Sequence, residues 1–205
     1  MSTAVLNPPK TVSPPAPSWK PFRWTISEYR DLDKTGLFHD VKTMLLDGEI
    51  FVMAAPSPPH DVAMVLTETY LRRAFTGTNT YLRNQMGFDI GKWNDPSPDL
   101  AVVGGSIRDH ATRTPTEAIL IVEVAVTSLA TDTTTKAELY ASAEVPEYWV
   151  IDVPGRELHL YRDPVAHPEG LGADAYRTRR VLKESDSLSP MAASAAVVKV
   201  SDLLP

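Results

Sequence analysis

One carboxylate stands inside the most apolar stretch of the chain. Glu123 is the only charged residue in residues 119–126, ILIVEVAV, a short run with five β-branched residues. Such a run is typical of a strand that is buried on both faces of a sheet. Burying a carboxylate without a partner costs several kcal/mol, so the fold must supply a partner, a proton or a metal ion. A position at the end of the sheet, exposed or paired with an arginine, would also satisfy Glu123.

A second carboxylate, Asp99, follows Pro98 and begins the apolar segment DLAVV, which we interpret as another strand. Carboxylates at the start of one strand and inside its neighbour can converge on one point. Two such oxygens suit a hard cation, Mg²⁺ or Mn²⁺, better than zinc. Taken alone, an aspartate after a proline is equally typical of a turn.

Three further polar residues follow at helical spacing. Asp132, Lys136 and Tyr140 are four residues apart, and residues 131–143 are predicted to form a helix. At that spacing all three lie on one stripe of the helix. If the helix packs beside the Glu123 strand, Lys136 can reach the carboxylates. Taken alone, the trio is also typical of a surface ion pair with a packing tyrosine.

The remaining pattern predicts the elements that hold these residues. Thr25 and Glu28 form a predicted capping box for a helix that ends near Asp33. Residues 44–53 are predicted to form a hairpin around Asp47 and Gly48. A helix is predicted to begin at Ser57 and Pro58, and its predicted core face is Val62, Val65, Leu66 and Tyr70.

The other strands are predicted at residues 80–84, 86–90, 99–103, 147–153, 157–162, 176–182 and 196–200. Strands and helices alternate irregularly along the chain, and this order predicts an α/β fold with a mixed sheet.

Composition narrows the functional classes. The 205 residues contain no cysteine, which excludes disulfides, cysteine-ligated zinc and thiol nucleophiles. The formal charge of −6 argues against a protein that coats nucleic acid, because such binding needs a basic surface. No apolar run approaches the ~20 residues that span a membrane. The start of the chain has no signal-peptide pattern, so we predict a cytoplasmic protein.

Proline divides the chain into two parts. Six of the 18 prolines lie among the first 21 residues, and proline disfavours both regular helix and inner strands. We therefore predict a flexible, proline-rich tail over residues 1–20 and one domain over residues 21–205.

The order of these motifs resembles that of the PD-(D/E)XK nuclease superfamily, and more narrowly that of the Uma-two family of restriction endonucleases. The matching segments are LLDGEIFVM, SPPH, PSPDLAVV, IVEVAVTS, the Asp132–Lys136–Tyr140 trio and EYWVIDV. The resemblance covers about residues 25–205. It implies a restriction-endonuclease-like core with flanking helices and extra β-hairpins. The implied activity is Mg²⁺- or Mn²⁺-dependent hydrolysis of phosphodiester bonds in DNA.

Carried over to this sequence, the resemblance makes Asp99 and Glu123 the metal ligands, with a main-chain carbonyl of Val124 or Ala125 completing the shell. The superfamily motif places its lysine two residues after the acidic residue, but that position is Ala125 here. The resemblance implies that Lys136 takes over the role of that lysine.

The family pattern also implies auxiliary roles for four residues. Glu49 and His60 would contact the metal or hydrogen-bond the substrate, although Glu49 also flanks a tight turn and His60 lies in a first helical turn. Asp132 and Tyr140 would support Lys136 and the helix.

Two alternatives to a nuclease remain open at this point. The acidic balance and the alanine at position 125 also fit a nuclease fold that is catalytically inactive and acts in binding or assembly. A glycosidase using Asp99 and Glu123 as paired carboxylates is a weaker alternative, since Lys136 has no part in that chemistry. The nuclease hypothesis further suggests a homodimer, with the strands at residues 157–162 and 176–182 as edges that could pair two chains.

Overall fold

The structure is a computed structural model that describes residues 19–205. Most of the predicted proline-rich tail, residues 1–18, lies outside the described residues. Residues 19–25 have no regular secondary structure.

The amino-terminal elements follow the sequence signals closely. Helix α1 (Ile26–Asp33) begins at the capping box, in which the Thr25 side chain and the Glu28 side chain each bond the other residue's backbone N–H. Strands β1 (Thr43–Leu46) and β2 (Glu49–Val52) form the predicted hairpin. Both of its turn residues have the positive φ angles of a type I′ turn. Helix α2 (Pro58–Ala74) then begins at Ser57.

A six-stranded mixed sheet forms the centre of the molecule. Its strands are β3 (Thr80–Asn84), β4 (Leu100–Gly104), β5 (Leu120–Ala125), β6 (Glu147–Asp152), β7 (Glu157–Pro164) and β8 (Tyr176–Lys183), and they lie side by side in that order. Only β5 and β6 are parallel, and the other neighbours are antiparallel. Two short helices, α3 (Leu129–Thr133) and α4 (Thr135–Ser142), connect the parallel pair. The mixed α/β sheet predicted from the sequence is confirmed.

Both faces of this sheet are covered. On one face α2 packs through a cluster that includes Ala63, Leu71 and Val122. On the other face α4 packs through Ala137 and Tyr140. Every residue of β5 is buried, as expected of a strand covered on both faces. Near the carboxyl terminus, a two-stranded ribbon of β9 (Ser187–Leu188) and β10 (Val198–Lys199) joins the α2 side.

The prediction of a single helix over residues 131–143 is wrong, because this part of the chain forms two helices, α3 and α4, separated at Thr134. The backbone there has φ −120° and ψ −87°, outside the helical region. The segment carries four threonines, and the hydroxyls of Thr133 and Thr134 bond main-chain carbonyls one turn earlier. Such side-chain bonds compete with the helical ladder and disfavour a continuous helix.

Two other local predictions are also wrong. Residues 86–90 form no strand and make only an isolated bridge at Ile90. In α2, Val62, Val65 and Leu66 are exposed.

The buried residues of α2 are instead Ala63, Thr67 and Leu71, each one position after a residue of the predicted core face. The small side chains of Ala63 and Thr67 let the helix lie close to the sheet. The buried Thr67 hydroxyl donates a hydrogen bond to the Ala63 carbonyl.

The edges of the sheet are β3 and β8, because β7 is paired on both sides. Residues 157–162 are therefore not an edge, and β8 is the edge strand at this end. The homodimer stays a prediction. Within residues 19–205, no helix has the length and apolar character needed to cross a membrane.

Candidate active site

The candidate site lies where the β4–β5 ladder ends. Leu100 pairs with Val122 in this antiparallel register, so one further step places Asp99 opposite Glu123. The ladder stops there because the N–H of Val124 turns to the Asp99 side chain, donating to Oδ2 at 2.8 Å. The two carboxylates singled out from the sequence therefore meet across neighbouring strands.

Asp99 is surrounded by hydrogen-bond donors. His60 Nε2 lies 3.1 Å from Oδ1, and Gln85 Nε2 donates to the same oxygen at 3.1 Å. Burial alone would raise the pKa of Asp99, but the bonds from His60 and Val124 outweigh it and lower the pKa below its ordinary value. The same hydrogen bond raises the pKa of His60. Asp99 is thus held as a carboxylate.

Glu123 lies in a more negative environment. The Tyr140 hydroxyl donates to Oε1 at 2.6 Å, and Lys136 Nζ lies 3.0 Å from Oε2. Burial, with repulsion from Asp99 and Asp132, raises the pKa of Glu123 to about 8 against the opposing charge of Lys136. Lys136 is thus the only described cation in contact with Glu123, whereas two other carboxylates, Asp99 and Asp132, lie near it.

Lys136 bridges two acidic side chains. Its ammonium lies 3.0 Å from Glu123 and 2.9 Å from Asp132 Oδ1, with only 12% of its side chain exposed. Burial lowers the pKa of Lys136, but the two carboxylates more than compensate and raise it above its ordinary value. Ser128 fixes the other oxygen of Asp132 at 2.5 Å. The helix break at Thr134 does not separate the predicted trio, because Asp132 lies in the last turn of α3 and Lys136 in the first turn of α4.

The auxiliary residues divide into two groups. Three of them lie at the site: His60 contacts Asp99, Tyr140 contacts Glu123, and Asp132 contacts Lys136. Glu49 lies at the start of β2 and is exposed, and its side chain forms no hydrogen bond or ion pair with any residue between 19 and 205.

Two polar side chains at the site carry no clear sequence signal. Gln85, which follows β3 with a positive φ of 48°, bonds Asp99 and accepts from Lys42 Nζ at 3.1 Å. Burial lowers the pKa of Lys42, with Asp99 opposing the shift. Gln85 reaches Asp99 because the β3–β4 ladder places it one step beyond the Asn84–Leu100 pair, and Lys42, which precedes β1, joins it by bonding Gln85. Local sequence reveals neither contact.

The donor set fits a hard divalent cation. Asp99 and Glu123 offer carboxylate oxygens, the ligands that Mg²⁺ and Mn²⁺ prefer. The Ala125 carbonyl already accepts the N–H of Val153 at 3.0 Å. The Val124 carbonyl lies on the same side of β5 as its N–H, toward Asp99. Of the two main-chain oxygens considered, Val124 is therefore the one available to a metal ion.

The fold is also found in a solved structure. A crystal structure titled as "a putative nuclease belonging to DUF820 from Anabaena variabilis" superposes with a TM-score of 0.66 at 16% identity, covering 87% of this chain and 96% of that one. The type IIG restriction endonuclease BpuSI aligns with a TM-score of 0.38 at 13% identity, over 77% of this chain and 17% of that one. No curated protein matches the sequence significantly.

The mixed sheet, with its carboxylates at the β4–β5 junction, is a restriction-endonuclease-like fold. Residues 26–199 match the Uma2 family, whose description is "Putative restriction endonuclease". The chain belongs to this family, and the resemblance drawn from the motifs is confirmed.

Proposed function

We propose that the protein is a divalent-metal-dependent endonuclease that hydrolyses phosphodiester bonds in DNA. The observation that carries this proposal is the convergence of Asp99, Glu123 and Lys136 at the end of one strand pair, in a chain of the Uma2 family. Paired carboxylates with an adjacent ammonium have the parts that phosphodiester hydrolysis requires: a cation site and a positive group beside the reacting phosphate.

Each side chain has a distinct task in this proposal. Asp99 and Glu123 hold the cation, Mg²⁺ or Mn²⁺, with the Val124 carbonyl. When bound, the cation polarises the scissile phosphate and lowers the pKa of a water molecule. Lys136 Nζ orients that water and offsets the negative charge that develops on the phosphate.

Other residues support these three. His60 and Gln85 keep Asp99 ionised and aimed at Glu123. Tyr140 fixes the Glu123 carboxylate from the helix side, and Asp132 holds the Lys136 ammonium in place.

The net charge of −6 constrains how DNA is bound. Few counterions are released when an acidic protein meets the phosphate backbone, so DNA affinity should be weak, salt-sensitive and assisted by the divalent cation. We expect binding in Mg²⁺ to exceed binding in EDTA.

Plasmid cleavage tests the proposal. Purified wild-type protein should nick or linearise supercoiled plasmid in Mg²⁺ or Mn²⁺ and not in EDTA. Asp99→Asn and Glu123→Gln should each lower the rate by roughly 10²-fold or more, because each removes a charged ligand. Glu184→Gln is a matched control, since it removes an exposed carboxylate whose ion pair is with Arg156 on the surface.

The site assignment fails if Glu123→Gln cleaves at the wild-type rate. Circular dichroism and thermal unfolding of each variant would show whether lost cleavage reflects chemistry or lost folding. Cleavage that persists in EDTA would contradict metal dependence while leaving the nuclease proposal standing.

A second candidate function is a catalytically inactive nuclease fold that acts in binding or assembly. Its support is the burial of the site: the side chains of Asp99 and Glu123 are only 10% and 3% exposed. Calorimetric titration with Mn²⁺, with and without Glu123→Gln, separates the two functions. Wild-type protein that binds no Mn²⁺ would favour the inactive module.

A further inference from the structure

A second group of metal-ligating side chains lies at the hairpin between β6 and β7. Asp152 is the last residue of β6, and Glu157 is the first of β7 and its direct partner across the ladder. His159 follows two residues later and therefore points to the same face of the sheet. One ligand atom from each of the three lies within 4.8 Å of the others. Among residues 19–205, no other three side chains of these types meet that criterion.

The two carboxylates are not fully compensated by their neighbours. Like charges directly opposite each other in a ladder destabilise it. Lys183 pairs with Glu157 Oε2, which leaves Oε1 facing the group. Asp152 is buried, and the only hydrogen bond that its side chain forms with a described residue is from the Gly155 N–H, at 2.9 Å. Lys183 thus pairs with Glu157, and no cation among the described residues pairs with Asp152.

His159 supplies a ring nitrogen that could bind a metal ion and that has no hydrogen-bond partner among the described residues. Its Nε2 is buried and lies 3.3 Å from Glu157 Oε1, yet it forms no hydrogen bond with any described residue. The ring stacks against Tyr161 at a centroid distance of 6.5 Å and an interplanar angle of 17°, which restrains its orientation. A buried ring nitrogen without a partner is costly unless something binds it.

The turn shapes the space beside Asp152. A Cβ on Gly155 would stand 2.1 Å from Asp152 Oδ2, so only glycine allows the carboxylate this position. The adjacent Arg156 has a positive φ of 50°, which lets the chain return to β7 after four residues. The hairpin therefore holds the carboxylate beside Glu157 at some conformational cost.

From this geometry we propose that Asp152, Glu157 and His159 form a metal site, separate from the Asp99–Glu123 pair, that binds Zn²⁺. Imidazole and carboxylate together suit zinc, whereas the all-oxygen pair at the β4–β5 junction suits Mg²⁺. Tetrahedral ligands about 2.1 Å from zinc lie about 3.4 Å apart, so small side-chain movements bring the three donors onto one ion. A water molecule completes the fourth position.

Bound zinc would neutralise the facing carboxylates and join β6 to β7. The ion would therefore stabilise the native chain, because the unfolded chain does not hold the three ligands together.

Calorimetric titration with Zn²⁺ tests the site in the full chain. The background is the double variant Asp99→Asn with Glu123→Gln, which removes the all-oxygen pair. We expect one Zn²⁺ per chain, and at least about 10-fold weaker binding when His159→Gln or Glu157→Gln is added. Asp152→Asn should weaken binding while keeping the bond from Gly155. Co²⁺ should give the visible absorption bands of a tetrahedral site, and these should disappear with His159→Gln.

The matched controls are His110→Gln and Glu184→Gln. His110 contacts Tyr81 away from the proposed zinc site, and Glu184 pairs with Arg156. Neither should change Zn²⁺ affinity. The proposal is overturned if the double variant binds no Zn²⁺, or if His159→Gln binds it unchanged. It is equally overturned if replacing the exposed His39 abolishes binding. Because the background lacks the Asp99–Glu123 ligands, the result does not depend on nuclease activity.

Discussion

Two glutamates in neighbouring strands are almost sealed from solvent, yet their surroundings differ. Glu123 on β5 is 2% exposed and Glu147 on β6 is 1% exposed. The described residues that contact the Glu147 carboxylate at hydrogen-bond distance are all donors: Arg162 Nη2 at 2.7 Å, Trp149 Nε1 at 3.0 Å and the Met191 N–H at 2.7 Å. Glu147 thus joins β6, β7 and the segment after β9, as a structural ion pair does.

Glu123 lacks this balance. Its neighbours include two further carboxylates, Asp99 and Asp132, against the single ammonium of Lys136. The comparison teaches that burial of a carboxylate does not by itself mark a functional site. What distinguishes Glu123 is an excess of acidic groups arranged around one point, which is the arrangement that a cation site needs.

Removing the single cation should produce the largest effect on stability. Lys136→Met keeps the aliphatic stem but leaves Glu123 and Asp132 buried without a counterion. Breaking a buried pair in this way costs about 3–5 kcal/mol. We expect urea unfolding to show that loss, and plasmid cleavage to vanish.

Lys34→Met is the matched control, because Lys34 forms an exposed pair with Asp31 three residues earlier. Its cost should stay within about 1 kcal/mol. Equal losses in the two lysine variants would mean that Lys136 is not the charge that stabilises the buried acidic group.

The two glutamates should respond oppositely to the same amide substitution. In Glu147→Gln the amide NH₂ group faces a hydrogen-bond donor in either orientation of the amide. We therefore expect the free energy of unfolding to fall by about 2–3 kcal/mol. Cleavage by the folded fraction should be unchanged. Glu123→Gln can keep its carbonyl toward Lys136 and its NH₂ toward the Tyr140 oxygen, so its stability should change by about 1 kcal/mol or less.

Urea unfolding and plasmid cleavage of both variants decide this contrast. If Glu147→Gln loses cleavage while folded, the division into a structural and a functional glutamate is wrong.

The same contrast explains what local sequence could predict of the site. Glu123 was identifiable because one charge interrupts a β-branched run, and Asp99 because it follows Pro98 at the start of another run. Lys136 depended on spacing, which by itself did not predict the helix break that the four threonines before it favour. Gln85 and Lys42 had no signal, because Gln85 bonds Asp99 and Lys42 bonds Gln85 across separations of 14 and 43 residues.

The fold shows a similar limit in α2. Periodicity placed Val62, Val65 and Leu66 toward the core, because the pattern counts apolar residues and ignores how closely a helix can approach. The helix instead presents Ala63 and Thr67, whose small side chains allow close packing on the sheet. Strand β5 was easier to predict, because a run with five β-branched residues favours a strand over a helix. Residues 86–90 contain only one β-branched residue, Ile90, and form no strand.

The smallest effect should come from a tyrosine hydroxyl at the site. Tyr140 and Tyr148 are both fully buried and their rings lie 5.0 Å apart, but Tyr140 donates to Glu123 whereas Tyr148 donates to the main-chain oxygen of Asp132. Tyr140→Phe and Tyr148→Phe should each cost about 1 kcal/mol, since each removes one buried hydrogen bond. Only Tyr140→Phe should lower cleavage, by roughly 10-fold, because it frees the carboxylate proposed as a metal ligand. Equal cleavage by the two variants at equal stability would mean that Tyr140 does not position Glu123, and that its hydroxyl is as structural as the partners of Glu147.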